Sequence, residues 1–150
     1  MGSSRNRTAG HSWERICAKK LREIGYEDLK TSRECSRLRD SQKVDLCNGD
    51  EDASGRLPYN VQCKTLNTTA PYSKLLKELE EFNGRNHINV VFHKMTKRTE
   101  GGRFSPVGEY AILNLNDFYT MVEKLLKLER FIKESGVELE EFNSPINKKL

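Results

Sequence analysis

The sequence lacks a long apolar run, since nothing in it approaches the roughly 20 consecutive apolar residues that a membrane-spanning helix needs. Charged residues make up 32 % of the 150 residues, and the mean hydropathy is -0.76. The first residues, from Met1 to Arg5, also lack the apolar region of a secretory signal. We therefore expect a soluble, cytoplasmic protein with one core, because this length suits a single domain.

Cysteines in a metal-binding or disulfide pattern are absent as well. The four cysteines, at positions 17, 35, 47 and 63, show no CxxC pair and no Cys/His spacing of a zinc site. Cys17 and Cys63 fall at apolar positions, where a thiol behaves as a small hydrophobic group. The sequence therefore predicts free thiols in a reducing compartment.

A strong excess of one charge is also missing, since the formal net charge is only +4. The basic residues are unevenly spread, however. Five of them crowd the segment that leads to Asp45: Lys30, Arg33, Arg37, Arg39 and Lys43. A mild net charge with a local basic band is typical of a protein that meets DNA on one face. An ordinary solvated surface is the alternative.

Two short segments, at positions 43–46 and 59–64, alternate apolar with polar residues. In a β-strand this alternation puts Asp45 on one face, away from its two apolar neighbours. It likewise puts Gln62 and Lys64 on one face of the second strand, with Val61 and Cys63 on the other face. A carboxylate, an amide oxygen and an ammonium group can therefore meet at one place.

These three groups suit a hard divalent cation beside a phosphate. Mg²⁺ prefers oxygen ligands, takes one or two carboxylates and keeps several waters. A lysine next to it can stabilise the charge that develops on a phosphate oxygen, or orient the attacking water. We therefore predict a nuclease-type site at Asp45, Gln62 and Lys64.

A further carboxylate comes from the predicted first helix, which begins near Ser12 and ends at Gly25. Its apolar residues recur at helical spacing, and Glu14 lies at the margin of that stripe, where a carboxylate can reach the rim of the core. A second interpretation is that Glu14 only complements the helix dipole in the first turn.

The arrangement of Glu14, Asp45 and Gln62-Cys63-Lys64 resembles the PD-(D/E)XK nuclease superfamily. From about residue 10 to residue 126, the chain resembles the small Holliday junction resolvases of phages and archaea. The segments SRECSRLRDSQKVD (32–45) and LPYNVQCK (57–64) are especially similar to phage versions. Two positions depart from the motif, because Val44 replaces its proline and Gln62 replaces its usual acid. Some members of the superfamily carry glutamine at the second position.

The resemblance implies an α/β fold, with a single restriction-endonuclease-like domain whose central mixed β-sheet is flanked by helices. It implies a Mg²⁺-dependent endonuclease, with Mn²⁺ as a substitute, in which Glu14, Asp45 and Gln62 hold the metal and Lys64 assists catalysis. The implied substrate is a four-way DNA junction, an intermediate of recombination, cut symmetrically by a homodimer. For a phage-encoded chain, the place of action is the host cytoplasm.

The basic connector before Asp45 supplies the predicted DNA contacts, because arginine grips a phosphate with two hydrogen bonds and serine adds a donor. These residues are Ser32, Arg33, Ser36, Arg37, Arg39 and Lys43. Residues 1–10 are predicted to be a flexible basic arm, 11–134 the nuclease domain and 135–150 a C-terminal tail.

Two other functions remain open from the sequence. The same type of active site serves homing and restriction endonucleases, so a sequence-specific cutter of duplex DNA is the alternative enzyme. A non-catalytic DNA-binding module, which has kept the fold and lost the metal through Gln62, is the alternative outside the enzymes.

Periodicity and turn residues predict the other elements. We expect a weak strand at 26–31, a helix opened by Pro71 and ended at residues 83–84, and strands at 88–92 and 109–113. His93 is expected as a polar residue at a strand end. A final helix, capped by Asn116 or Asp117, is expected to cover the sheet or to form a dimer contact with its apolar face.

Overall fold

The computed structural model describes residues 4–35, 41–48, 57–83 and 88–136. The elements run in the order α1 (Ser4–Ile24), β1 (Leu29–Thr31), α2 (Ser32–Cys35), β2 (Leu46–Asn48), β3 (Tyr59–Leu66), α3 (Tyr72–Asn83), β4 (Ile88–Arg98), β5 (Phe104–Leu113) and α4 (Leu115–Glu134). The chain divides into two compact units, one ending at Asn114 and the other beginning at Leu115. The predicted domain of residues 11–134 therefore includes residues 11–114 of the first unit and α4 of the second.

Helix α1 begins at Ser4, well before the predicted start near Ser12. No apolar periodicity marks the added turns, but extending an existing helix adds one backbone hydrogen bond per residue without a new nucleation step. Residues 4–10 of the predicted arm belong to α1, and the flexibility of this arm stays a prediction. Residues 1–3 lie outside the described part of the chain.

The end of α1 matches the prediction, because Gly25 adopts a φ of 140° that other residues rarely reach. The N–H of Gly25 donates to the carbonyl of Arg22 at 3.1 Å, and the N–H of Tyr26 donates to the carbonyl of Leu21 at 3.1 Å. This pair of bonds satisfies two carbonyls at the helix end. Glycine thus sets the length of the helix at the point where the chain turns into β1.

Five strands among the described residues form one sheet in the order β1-β2-β3-β4-β5. The central pair β3 and β4 is parallel, and the other three pairs are antiparallel. A parallel pair needs a crossover connection, which α3 provides between β3 and β4. Asn60 and Asn89, both buried, join these strands through a 3.0 Å side-chain hydrogen bond. The predicted α/β class with a mixed sheet flanked by helices is confirmed.

Two hydrophobic clusters hold the helices to the sheet. In the first, Trp13, Cys17 and Ala18 of α1 pack on strand residues that include Val61 and Cys63. In the second, leucines of α3 pack near Val91 and Ile112. Val61 and Cys63 of β3 belong to the first cluster, whereas Asn60 and Gln62 on the other face are buried polar residues, so β3 is buried on both faces at its centre.

Strands β4 and β5 are longer than predicted and form an extended hairpin. The apolar start of β4 is buried on both faces, as expected for a central strand. His93 is fully buried in the middle of β4, so its predicted place at a strand end is wrong. A 2.8 Å hydrogen bond joins its Nδ1 to the hydroxyl of Tyr72 on α3.

The connector after β1 opens with a single helical turn, α2, which the sequence did not predict. Glu34 accepts hydrogen bonds from the backbone N–H of Thr31 at 2.9 Å and from its hydroxyl at 3.1 Å. A Thr-x-x-Glu spacing of this kind is a helix-capping arrangement. The backbone hydrogen bond from Thr31 is the main reason why the pKa of Glu34 is lowered.

In the second unit, α4 begins at Leu115, so that Asn116 and Asp117 lie in its first turn and do not precede it. None of its residues is buried, and its large apolar side chains are exposed. None of the helices within the described ranges combines the length and apolar character needed to cross a membrane.

Candidate active site

One open cavity of about 400 Å³ is lined by all four residues of the predicted site: Glu14, Asp45, Gln62 and Lys64. The cavity lies at the end of the β2–β3 pairing, which among the described residues has one aligned pair, Leu46 with Val61. Beyond Val61, residues of α1 and of the segment before β2 lie next to β3 instead of a strand. The four side chains therefore line one cavity, as the sequence predicts. Their roles in metal binding and catalysis stay predictions.

Asp45 takes the place of the missing strand partner at this edge. It lies directly before β2, and its backbone N–H donates to the carbonyl of Val61 at 2.8 Å. Its Oδ2 atom accepts a 2.6 Å hydrogen bond from the backbone N–H of Cys63. Hydrogen bonds to a carboxylate are stronger than neutral ones. The carboxylate is therefore held against β3 at the residue between Gln62 and Lys64.

Gln62 brings a buried amide to the cavity. The residue is 3 % exposed, and its Oε1 atom has no hydrogen-bond partner within the part of the chain that the structure describes. A buried acceptor without a partner costs about 1–3 kcal/mol of stability. The Gln62 residue lines a cavity that is also lined by Glu14 and Asp45, so its amide lies beside two carboxylates.

Glu14 reaches the cavity from the third turn of α1. It is 7 % exposed, and Cys17 and Ala18, one turn further on, belong to the first hydrophobic cluster. Since α1 begins at Ser4, Glu14 is not in the first turn, and complementing the helix dipole does not explain its position. Arg33 of α2 approaches the carboxylate, with Nε 4.0 Å from Oε2.

Cys63 contributes both a backbone donor and a buried thiol to this place. A hydrogen bond with Cys17 and burial raise the pKa of the Cys63 thiol well above its ordinary value, with smaller effects from the charges of Asp45 and Glu14. The thiol is therefore neutral and unsuited to act as a nucleophile. Cys17, Cys47 and Cys63 are free thiols, as predicted, and nothing is described of the Cys35 side chain.

Two further basic residues, which the sequence did not predict at this place, line the cavity. Arg7 and His11 line it together with Glu14, at positions i, i+4 and i+7 of α1. This spacing places them on one helix face. The signal was present in the sequence, but it becomes visible only when the helix is extended to Ser4.

The predicted DNA contacts have different outcomes. Arg33 and Lys43 line the cavity, and both are exposed. Ser32 is 1 % exposed, so its hydroxyl does not reach a surface where a phosphate could lie, and we remove it from the predicted contacts. Three residues fall outside the described part of the chain: Ser36, Arg37 and Arg39.

Lys43 has a further property, because its φ of 63° lies in the left-handed region. Lysine rarely adopts this conformation, which costs roughly 1–2 kcal/mol. The turn at Lys43 delivers the backbone to Asp45, which joins β3 two residues later. The strained residue therefore lies two residues before Asp45.

The donor set fits a hard cation but not a soft one. Two carboxylates and an amide oxygen are ligands that Mg²⁺ and Mn²⁺ accept. Across the described residues, no group of three or more His, Cys, Asp or Glu side chains could hold a metal ion. A cation held here by three protein side chains would take the amide of Gln62 as its third ligand.

Comparisons with family models, with curated proteins and with solved structures give no match for this chain. The resemblance to PD-(D/E)XK nucleases therefore rests on the sequence motif, and membership of that superfamily stays a prediction.

Proposed function

We propose that this chain is a metal-dependent endonuclease that hydrolyses DNA phosphodiester bonds. One observation carries the proposal: a single cavity is lined by two carboxylate residues, a lysine and Gln62, whose buried amide oxygen has no hydrogen-bond partner among the described residues. A surface with only a structural role has no need to collect two carboxylates and a lysine beside a buried amide. The surplus of cations at the rim agrees with a polyanionic substrate.

Each side chain then has a defined task. Glu14, Asp45 and Gln62 hold Mg²⁺, or Mn²⁺ in its place, which supplies Lewis-acid polarisation of the phosphodiester when bound. Lys64 orients the attacking water or stabilises the charge that develops on the phosphate. The hydrogen bond from Cys63 fixes the orientation of the Asp45 carboxylate, so that less reorganisation is needed when DNA binds.

The cations around the ligands position the substrate. Arg7, Arg33 and Lys43 line the same cavity as the two carboxylates. Arginine binds phosphate with paired hydrogen bonds, whereas lysine acts as a point charge. These three residues are therefore suited to hold the phosphates next to the one that is cut.

For the substrate we propose a four-way DNA junction cut by a homodimer with one active site in each subunit. The support for this finer statement is the sequence resemblance to junction resolvases, over residues 32–45 and 57–64 in particular. Symmetric cleavage of a junction needs two active sites, which a homodimer supplies through its two-fold symmetry.

The test offers a synthetic four-way junction, a linear duplex and a flap side by side, with Mg²⁺ and with a chelator. We expect paired incisions in junctions of unrelated sequence, lost in Asp45→Asn and Lys64→Ala. Two matched controls leave the cavity intact: Lys77→Ala removes an exposed lysine of α3, and Glu23→Gln alters an exposed acid of α1. Cleavage at one site of a linear duplex would instead identify a sequence-specific endonuclease.

A non-catalytic DNA-binding module is the second candidate, and the neutral side chain of Gln62 is the observation that favours it. Under this alternative no metal stimulates cleavage of any substrate, and Lys64→Ala binds DNA as the natural sequence does. Mg²⁺-dependent incision that disappears in Asp45→Asn rules it out.

A further inference from the structure

A second cavity, which we call the groove, lies beside the candidate active site. It has a volume of about 510 Å³ and is lined by residues of α1, β4, β5 and the end of β3. This volume is in the range of about 300–1,000 Å³ that is usual for ligand pockets. None of the residues assigned above to metal or phosphate binding lines it, so the groove needs its own explanation.

The groove is continuous with the active site along two elements. Thr65 lines both cavities, directly after Lys64, and the groove goes on to Asn67. On α1, Trp13 lines the groove and the next residue, Glu14, lines the active site. Lys64 and Asn67 are three residues apart, about 10 Å along an extended chain. A DNA strand bound at Lys64 therefore reaches the groove within about three nucleotides.

The groove combines aromatic rings with a cation. Trp13 forms part of its wall, and its ring is fixed by a 3.0 Å hydrogen bond from Nε1 to the carbonyl of Phe92. Lys94 lies over this ring, with Nζ 5.5 Å from the ring centroid. Phe104, at the start of β5, is 57 % exposed and supplies a ring face that the protein does not cover.

The surrounding charge favours a nucleic acid over an uncharged apolar ligand. The hairpin that carries Phe104 also carries three exposed basic residues: Lys97, Arg98 and Arg103. A positively charged surface that carries exposed aromatic rings is how proteins bind unpaired nucleotides, because bases stack on the rings while phosphates meet the cations. In an intact duplex the faces of the bases are covered by their neighbours, so only an unstacked base can occupy such a groove.

We infer that the groove binds an unpaired nucleobase of the strand held in the active site, with the base stacked on Phe104 and a phosphate near Lys94. This inference rests on the proposed function and narrows it, because it assigns the enzyme to DNA with unpaired or unstacked nucleotides close to the cut. A base that is already unpaired enters without the cost of about a few kcal/mol for unstacking.

The test measures binding of labelled single strands in the presence of a chelator, so that no cleavage takes place. An oligothymidylate is compared with an abasic strand of the same length, which carries the same phosphates and no bases. Phe104→Ala should weaken binding of the oligothymidylate by about 5- to 150-fold, the range for loss of one stacked base. It should leave binding of the abasic strand unchanged, and Phe104→Tyr should retain the affinity.

Phe82→Ala is the matched control, because Phe82 is a phenylalanine of similar exposure, 49 %, that lies on α3 and does not line the groove. Lys94→Gln should weaken binding of both strands, since it removes a phosphate contact. Trp13 is the sole tryptophan of the chain and lies under Lys94, so its fluorescence should report the binding of both strands.

Equal binding of the two strands by the natural sequence overturns the inference, as does an equal loss in Phe104→Ala and Phe82→Ala. The inference is also overturned if Phe104→Ala weakens binding of a paired duplex as strongly as it weakens binding of the single strand. These outcomes are independent of the proposed function. Cleavage without any base-dependent binding overturns the inference about the groove and leaves the proposed function standing. Base-dependent binding without Mg²⁺-stimulated cleavage of any substrate overturns the nuclease proposal and leaves the inference about the groove standing.

Discussion

Replacing Gln62 by glutamate tests whether its amide is a metal ligand. The substitution Gln62→Glu keeps the shape of the side chain and introduces a carboxyl at a position that is 3 % exposed, in a cavity with Glu14 and Asp45. Without a cation, burial and two like charges oppose ionisation of the new carboxyl. With a cation, three carboxylates replace two as ligands.

In a chelating buffer, the stability that Gln62→Glu can lose is limited by the free energy of protonating the new carboxyl. A glutamate with an ordinary pKa of about 4.3 can be protonated at pH 7 for about 4 kcal/mol, at 1.36 kcal/mol for each pH unit. We expect Gln62→Glu to lose about 2–4 kcal/mol, which lowers the Tm of a chain of this size by about 4–16 °C. Because the folded-state pKa of the introduced carboxyl is raised, the penalty grows as pH rises above about 4.3 and shrinks to at most about 1 kcal/mol at pH 5.

Mg²⁺ should reverse this loss. Each tenfold gain in metal affinity adds about 1.4 kcal/mol of stability at saturating metal. The assay is thermal unfolding with chelator and with Mg²⁺, and Gln62→Met is the matched variant, since it removes the oxygen without adding charge. Gln62→Met should be at least as stable as the natural sequence in chelator, because a buried acceptor without a partner is gone, and it should respond least to Mg²⁺.

The reasoning is refuted if Mg²⁺ raises the Tm of Gln62→Glu and Gln62→Met by the same amount. It is also refuted if Gln62→Glu is as stable as the natural sequence in chelator at pH 7. In the first case the amide is not a ligand, and in the second the new carboxyl is solvated.

Three further predictions concern the residues around the site. Asp45→Ala should lower the free energy of unfolding by about 1–3 kcal/mol in urea denaturation, because the N–H of Cys63 loses its acceptor, and Asp45→Asn should lose less. Cys63 should react with iodoacetamide more slowly than the half-buried Cys47, as peptide mass spectrometry would show. The hydrogen bond from Thr31 lowers the pKa of Glu34, so the stabilising effect of the ionised Glu34 should disappear as pH falls below about 4.5. Glu34→Gln should therefore flatten the plot of Tm against pH in this range. An unchanged plot would contradict the stabilising role of Glu34.

Local periodicity predicts much of this fold correctly. The order of the five strands and the three long helices, the end of α1 at Gly25 and the limits of α3 follow from side-chain spacing and from turn residues, which act within a few positions. The alternation along β3 likewise predicts that Val61 and Cys63 join the hydrophobic core, but not that Gln62 on the other face is buried as well. The errors lie in element lengths, because a solvated extension such as the first turns of α1 has no apolar signal.

Burial is where the sequence misleads. Ser32 lies in a polar segment of the sequence and His93 directly follows an apolar one, and both polar side chains are fully buried. Their positions depend on packing between segments that are far apart in the chain: the N–H of Ser32 donates to the carbonyl of Asp45 at 2.8 Å, and His93 meets Tyr72 of α3. No local pattern contains that information.

By itself, the sequence determined which residue types stand at the motif positions, and therefore that Asp45, Gln62 and Lys64 could share one place. Only the tertiary structure decided what surrounds them, since it brings α1 and α2 to the open edge of β3 and adds Arg7 and Arg33 to the cavity. The physical reason is that the face of a strand is set by its own backbone, whereas a cavity is made by the packing of elements that are distant in sequence.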